Sequence, residues 1–240
     1  MQHIENELRR TGRQALAVIA GIRKSLSNAA AVAEDQTTKT EAIKIYPEIS
    51  LEEEWNRQAQ NLAGLFAKEL KFETHEEYIA TLPKFEPQPD EYRGRLDIPV
   101  IVETRVPLRR MLELSGIVSY FDVDSIEDWE KGDFETPEAP YLTWLNDGYS
   151  NLNESVSKVR ESLKADERGG NIHDGIALYL RDPQILDEYY WDLPGSQVGS
   201  DRAPSLARWR GQTRLSRYFV DAEVPFYGSV VAGKKLKFKS

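Results

Sequence analysis

Between residues 202 and 219 five arginines, Arg202, Arg208, Arg210, Arg214 and Arg217, are interleaved with Trp209, Tyr218 and Phe219. A guanidinium presents a planar fork of donors to phosphate oxygens and an aromatic face stacks on a base, so this mixture has the chemistry of a single-strand or RNA surface. The candidate nucleic-acid or anion-binding residues are therefore Arg202, Arg208, Trp209, Arg210, Arg214 and Arg217. A structural reading competes with it, in which the arginines pair with the chain's own acids and the aromatics fill the core. Such acids exist: residues 122 to 138 carry eight of them against Lys131 alone.

Other residue sets offer weaker chemistry. The loop from Leu193 to Arg202 contains Gly195 and Gly199, whose amides would face an anion with Arg202 beside them. It lacks the Gly-Lys-Ser/Thr of a phosphate loop and matches no dinucleotide fingerprint. Asp166, Glu167, His173, Asp174 and Asp182 supply hard oxygens and one imidazole, the donor set of magnesium or manganese, yet acids beside Gly169 and Gly170 serve equally as turn formers and caps. No metal and no cofactor is assigned to the chain. Glu103 and Arg105, with Asp90 or Asp97 upstream, resemble over some fifteen residues the acid and Glu-x-Lys of nucleases of the restriction-endonuclease-like superfamily. That resemblance implies metal-dependent cleavage of phosphodiesters. Arg105 stands where the family has lysine, and an arginine does not readily give up a proton to act on water.

Charge is distributed unevenly. The net charge is −9, but residues 202 to 240 are +7 and the remaining 201 residues are −16. Asymmetry of this kind points to an electrostatic partner for the basic end. With 40% hydrophobic and 10% aromatic residues the chain buries enough apolar surface to fold. The absence of cysteine excludes disulfides and thiolate metal sites and suits a reducing compartment, so a cytoplasmic location, in a bacterium, is expected. Arg9, Arg10 and Arg13 precede an apolar run from Ala15 to Ile22, but Glu5 and Glu7 before them and Arg23 and Lys24 after it are unlike a signal peptide. No uncharged apolar run reaches about 18 residues, so no membrane partner is expected.

These residues need elements to hold them. Leu8, Gly12, Ala15, Ile19, Ile22, Leu26, Ala29 and Ala33 recur at spacings of four and three, which predicts an amphipathic helix from about Ile4 to Glu34. Its small residues bury little area, so residues 4–34 call for a partner, which is the chain's own helix opened at Ser50, another protein or a second copy. Ser50 with Glu53 and Thr74 with Glu77 are capping-box patterns that open two further helices. Pro83, Pro87 and Pro89 mark residues 83–95 as a linker. Beyond it, Ile98 to Thr104 and Tyr141 to Leu145 read as strands, Pro107 opens a helix to Leu114, and Ser155 to Leu163 is a short helix. Ile172 to Leu180 is open between strand and helix; Asp182 and Pro183 begin a helix to about Tyr189. Leu206 to Arg210, Leu215 to Val220 and Phe226 to Val231 read as strands.

The expected fold class is α+β, mixed α/β, with an N-terminal helical hairpin or arm packed on a compact domain with a small mixed sheet. Its divisions are a helical arm over 1–82, the linker over 83–95 and a mixed α/β domain over 96–240. The expected function is a non-enzymatic interaction or assembly subunit of a bacterial cytosolic complex, with nucleic acid as the candidate ligand of the C-terminal basic and aromatic segment. The alternative is a metal-dependent phosphodiesterase or nuclease.

Overall fold

Ser50 begins the first helix through the reciprocal bonds its sequence encodes. Its hydroxyl accepts from the Glu53 amide at 3.1 Å, and Glu53 Oε2 accepts from the Ser50 amide at 2.8 Å. A computed structural model describes residues 50–129 and 134–239. The helix expected over residues 4–34, and the association assigned to it, lie outside them. Helix α1 (Leu51–Phe66) buries Trp55, Ala59, Leu62, Ala63 and Phe66, the stripe that a 3.6-residue period places on one face. Helix α2 (His75–Ile79) starts at Thr74, whose hydroxyl accepts from the Glu77 amide, and buries Tyr78.

Residues 83–95 follow an extended path with a single 3-10 turn, Asp90–Tyr92. The segment is anchored at two points: Pro83 accepts a 2.7 Å bond from the Trp55 indole, and Tyr92 is buried in a cluster with Leu96, Trp144, Val159 and Val231. Residues 50–240 form one compact unit, so α1 and α2 belong to the same body as the strands.

The elements that follow are β1 (Ile98–Val102), α3 (Leu108–Leu114), β2 (Val118–Ser119), β3 (Ile126–Asp128), β4 (Tyr141–Leu145) and α4 (Val156–Ser162). Then come β5 (Glu167–Gly169), α5 (Ile172–Arg181), β6 (Tyr190–Asp192), β7 (Ser196–Val198), β8 (Arg202–Trp209), β9 (Gln212–Phe219), β10 (Tyr227–Ser229) and β11 (Val231–Gly233). The structure is thus mixed α+β, with two sheets where the sequence suggested one small one. The first is antiparallel in the order β1-β4-β11-β5. Both β1 and β4 are buried throughout, which suits their unbroken apolar character. Tyr141 and Leu145 face the main core with α1 and α5, while Trp144 faces the Tyr92 cluster.

The second sheet has seven strands. It runs β10-β6-β8-β7-β3, with β9 and β2 on the other side of β8. Parallel pairs, β10 with β6 and β2 with β9, make it mixed. Consecutive strands β10 and β11 belong to different sheets, so the chain turns a corner at Val230, whose amide donates to Asp192 O at 3.0 Å and whose carbonyl accepts from Gly170 at 2.8 Å. Ile172 to Leu180 resolves as helix because Asn171 and Asp174 close a capping box. The helix expected from Pro183 to Tyr189 is instead a 3-10 turn, Pro183–Asp187, because the chain must be extended again at Tyr190 to enter β6. Among the described residues no helix is long and apolar enough to cross a membrane.

Candidate functional site

Strands β8 and β9 form a hairpin whose two-residue turn is Arg210-Gly211, with φ of 52° and 78°. Two left-handed residues make the turn whose twist matches that of the strands. Pairing runs from Trp209 with Gln212 to Arg202 with Phe219. Alternation across this register divides the candidate residues: Arg202, Arg208 and Arg217 lie on the face that carries the buried Leu206 and Leu215, while Trp209 and Arg214 lie on the opposite face. Arg210 occupies the turn. The six residues therefore do not gather on one face.

Their environments differ more than their spacing suggests. Arg208 is 24% exposed and donates to both carboxylate oxygens of Asp187, at 2.9 and 2.8 Å, so its charge is committed within the fold. Arg202, Arg214 and Arg217 lie over rings instead: Arg202 is 4.7 Å from the Phe219 centroid, Arg214 5.1 Å from Tyr120 and Arg217 5.0 Å from Phe121. Arg202 also meets Asp201, at 3.9 Å. Of the acids of residues 122–138, Asp122 and Asp124 bind Arg109, and Asp128 accepts from Thr136. Strand β2, which brings Tyr120 and Phe121 to this edge, ends opposite Leu215. Three arginine-on-ring pairs therefore line β9 from Arg214 to Phe219, and two of the rings stay open to solvent, Tyr120 at 59% and Phe219 at 54%.

The other sequence candidates are occupied by the architecture. Gly195 donates its amide to Gly170 O, and a Cβ built on it would lie 2.3 Å from Gly169 O. Glycine is required there for the packing of one backbone against another, and its amide is not free for an anion. Glu103 accepts from the Tyr78 hydroxyl at 2.7 Å and from Arg105 at 2.9 and 2.6 Å. Asp90 pairs with Arg93, and Asp97 accepts from Gln88 and Gly94. Asp166 pairs with Arg95, and Asp174 takes both terminal nitrogens of Arg168 together with the Tyr141 hydroxyl. Among the described residues no three His, Asp or Glu side chains converge as metal ligands would. An open cleft of about 220 Å³ is lined by Trp129, Phe134, Arg160, Lys164, Arg168 and Lys234. Its two guanidiniums are held by the fold, Arg168 by Asp174 and Arg160 by the carbonyls of Pro194 and Ser196.

A polar group that the spacing did not single out lies on β6. Glu54, Glu103, Glu167, Asp174 and Asp192 are the buried carboxylates among the described residues. The first four each meet an arginine: Arg57 and Arg181, Arg105, Arg95 and Arg168. Asp192, 4% exposed, meets none among the described residues, and burial pushes its pKa up to about 7. It stands opposite Ser205 of β8 and Ser229 of β10 in the ladder. Both serines are fully buried and neither hydroxyl has a partner among the described residues. The sequence signal was a lone acid inside the aromatic run Tyr189 to Leu193.

No protein-family model, curated protein or solved structure matches the chain.

Proposed function

We propose that the chain is a non-enzymatic binding and assembly protein, and that it takes up single-stranded nucleic acid along the outer edge of β9. The observation that carries this reading is the set of three arginines lying over rings, Arg202, Arg214 and Arg217, of which Arg202 also meets Asp201 at 3.9 Å. A guanidinium over an aromatic face still has terminal donors to offer a phosphate, and the neighbouring open rings offer stacking surface to bases. From Arg214 to Phe219 an extended strand covers roughly 16 Å, long enough for several phosphates to pass. Arg210 and Trp209, exposed at the turn, extend the surface at one end. Residues 4–34 would supply the assembly half of the function by docking on a protein partner or a second copy, and loss of association on removing residues 1–36 would show it.

Three phosphate contacts to a single strand give a slope of log Kobs against log salt of about −2. Anisotropy of a labelled oligonucleotide measures this directly. Arg214→Ala combined with Arg217→Ala should bring the slope toward about −0.7, whereas Arg208→Ala, removing a guanidinium already held by Asp187, should leave it unchanged. Binding that ignores salt, or that Arg208→Ala weakens as much as the double variant, would overturn the assignment.

A further inference from the structure

We propose that Asp192, Ser205 and Ser229 form a binding site for a protonated primary amine. The three residues stand side by side on β8, β6 and β10, on one face of the sheet, because ladder partners share a face. Neighbouring side chains in such a row are about 5 Å apart at Cβ. A carboxylate flanked by two hydroxyls on this spacing offers three oxygen acceptors, and an ammonium carries three N–H donors and no acceptor.

Two residues along the same strands, alternation places Tyr190 and Tyr227 on that face as well. Their rings meet at 5.1 Å and 63°, and Tyr227 meets Tyr218 of β9 at 5.1 Å and 67°. Aromatic rings beside a carboxylate favour an organic cation over a hydrated metal ion, since ring faces attract an alkylammonium and its methylene groups pack on them. The contrast with the other buried acids gives the reason to look outside the chain for the cation. Glu54, Glu103, Glu167 and Asp174 are each neutralised by an arginine of the fold, and Asp192 is left as the exception. Its ladder partners are serines, and its titratable neighbours are the tyrosines, chiefly Tyr227. The two hydroxyls, without a partner among the described residues, are the groups that a donor in this row would satisfy, since buried polar groups are ordinarily hydrogen-bonded. A water in the row would satisfy the hydroxyls but would leave the carboxylate without a counter-charge.

The test uses the full chain in phosphate buffer at pH 8.5, free of amine buffers, with methylammonium as probe. Tetramethylammonium, which has no N–H donor, and potassium serve as controls at equal ionic strength. Methylammonium should raise the melting temperature saturably, by about 3–5 °C at ten times its Kd. Asp192→Asn, which keeps the shape and removes the charge, should abolish the rise, and Ser205→Ala should weaken it. Calorimetry at pH 6.5 in two buffers of different ionisation enthalpy should show between half and one proton released per amine bound, because the amine displaces the proton of Asp192. A rise no larger than with tetramethylammonium, an equal rise with potassium, an unchanged rise in Asp192→Asn, or no proton release would each overturn the proposal.

Discussion

Replacing Asp192 by asparagine keeps the size of the side chain and removes its proton equilibrium, so it isolates the energy of burying a carboxylate on β6. In the folded chain burial lifts the pKa from 3.8 to about 7. The unfolded chain ionises near the ordinary value, so the folded state binds more protons across this interval, and stability falls as pH rises through it. It is fully present below about pH 4 and reaches its lower plateau above about pH 7. A difference of roughly three in pKa corresponds to about 4 kcal/mol, at 1.36 kcal/mol for each. The groups around Asp192 leave this window clear, since burial holds Tyr227 protonated well above it and the ladder neighbours are serines. His173, half-buried in α5 with its pKa pushed down by desolvation, has the opposite slope: it favours the folded state above its ordinary 6.5 and loses that contribution as pH falls. Urea unfolding of wild type and Asp192→Asn from pH 4 to 9, without amine buffers, cancels His173 in the difference. The variant should overtake wild type as pH rises and gain about 4 kcal/mol on it by pH 8. Parallel curves would refute the reasoning, because they would mean that the carboxylate is solvated or paired in the folded chain.

Arg210→Asn should stabilise the hairpin by about 0.5–1 kcal/mol in equilibrium unfolding, since asparagine accepts the left-handed φ of 52° that arginine tolerates poorly. Arg168→Met should lose about 3–5 kcal/mol, because Asp174 is then buried without its counter-charge, whereas Arg208→Met breaks a partly exposed pair and should lose less than about 1 kcal/mol. Gly195→Ala sets a Cβ 2.3 Å from Gly169 O, and thermal melts should show a loss on the order of 3 kcal/mol. Ser50→Ala removes the acceptor of the Glu53 amide and should cost about 1 kcal/mol by the same measurement.

Much of the secondary structure was legible because its signals are local. The cap at Ser50, the proline before Leu108, the serine before Val156 and the apolar run of β1 each act within a few residues, and each element starts within a residue or two of its sequence position. Ile172 to Leu180 was open because an apolar run of that length fits either period, and the deciding bonds come from Asn171 and Asp174 at its start. The division into two sheets was not legible. It depends on Val230, one residue between two short strands, whose backbone bonds to Asp192 and Gly170 turn the chain from one sheet into the other.

The candidate site shows the same boundary between local and distant information. That residues 202–219 mix arginine and aromatic groups is a fact of composition, but which arginine is free depends on strand register and on chain far away. Arg208 is neutralised by Asp187 across 21 residues, while Arg214 and Arg217 receive rings from Tyr120 and Phe121 nearly a hundred residues earlier. Asp192 is the extreme case, since its distinguishing property is the lack of a partner, and spacing along a chain reports which residues are near and not which are missing. Glu103 has Arg105 two residues away and Asp174 has Arg168 six away, so those pairs could be read from proximity. Asp192 acquires its character only when β8 and β10 close on either side of β6 and bring serines, where the other buried acids have arginines. A buried charge that the fold leaves without its opposite either remains neutral by holding a proton or meets a cation from outside, and the pH dependence of Asp192→Asn and the response to methylammonium separate these two states.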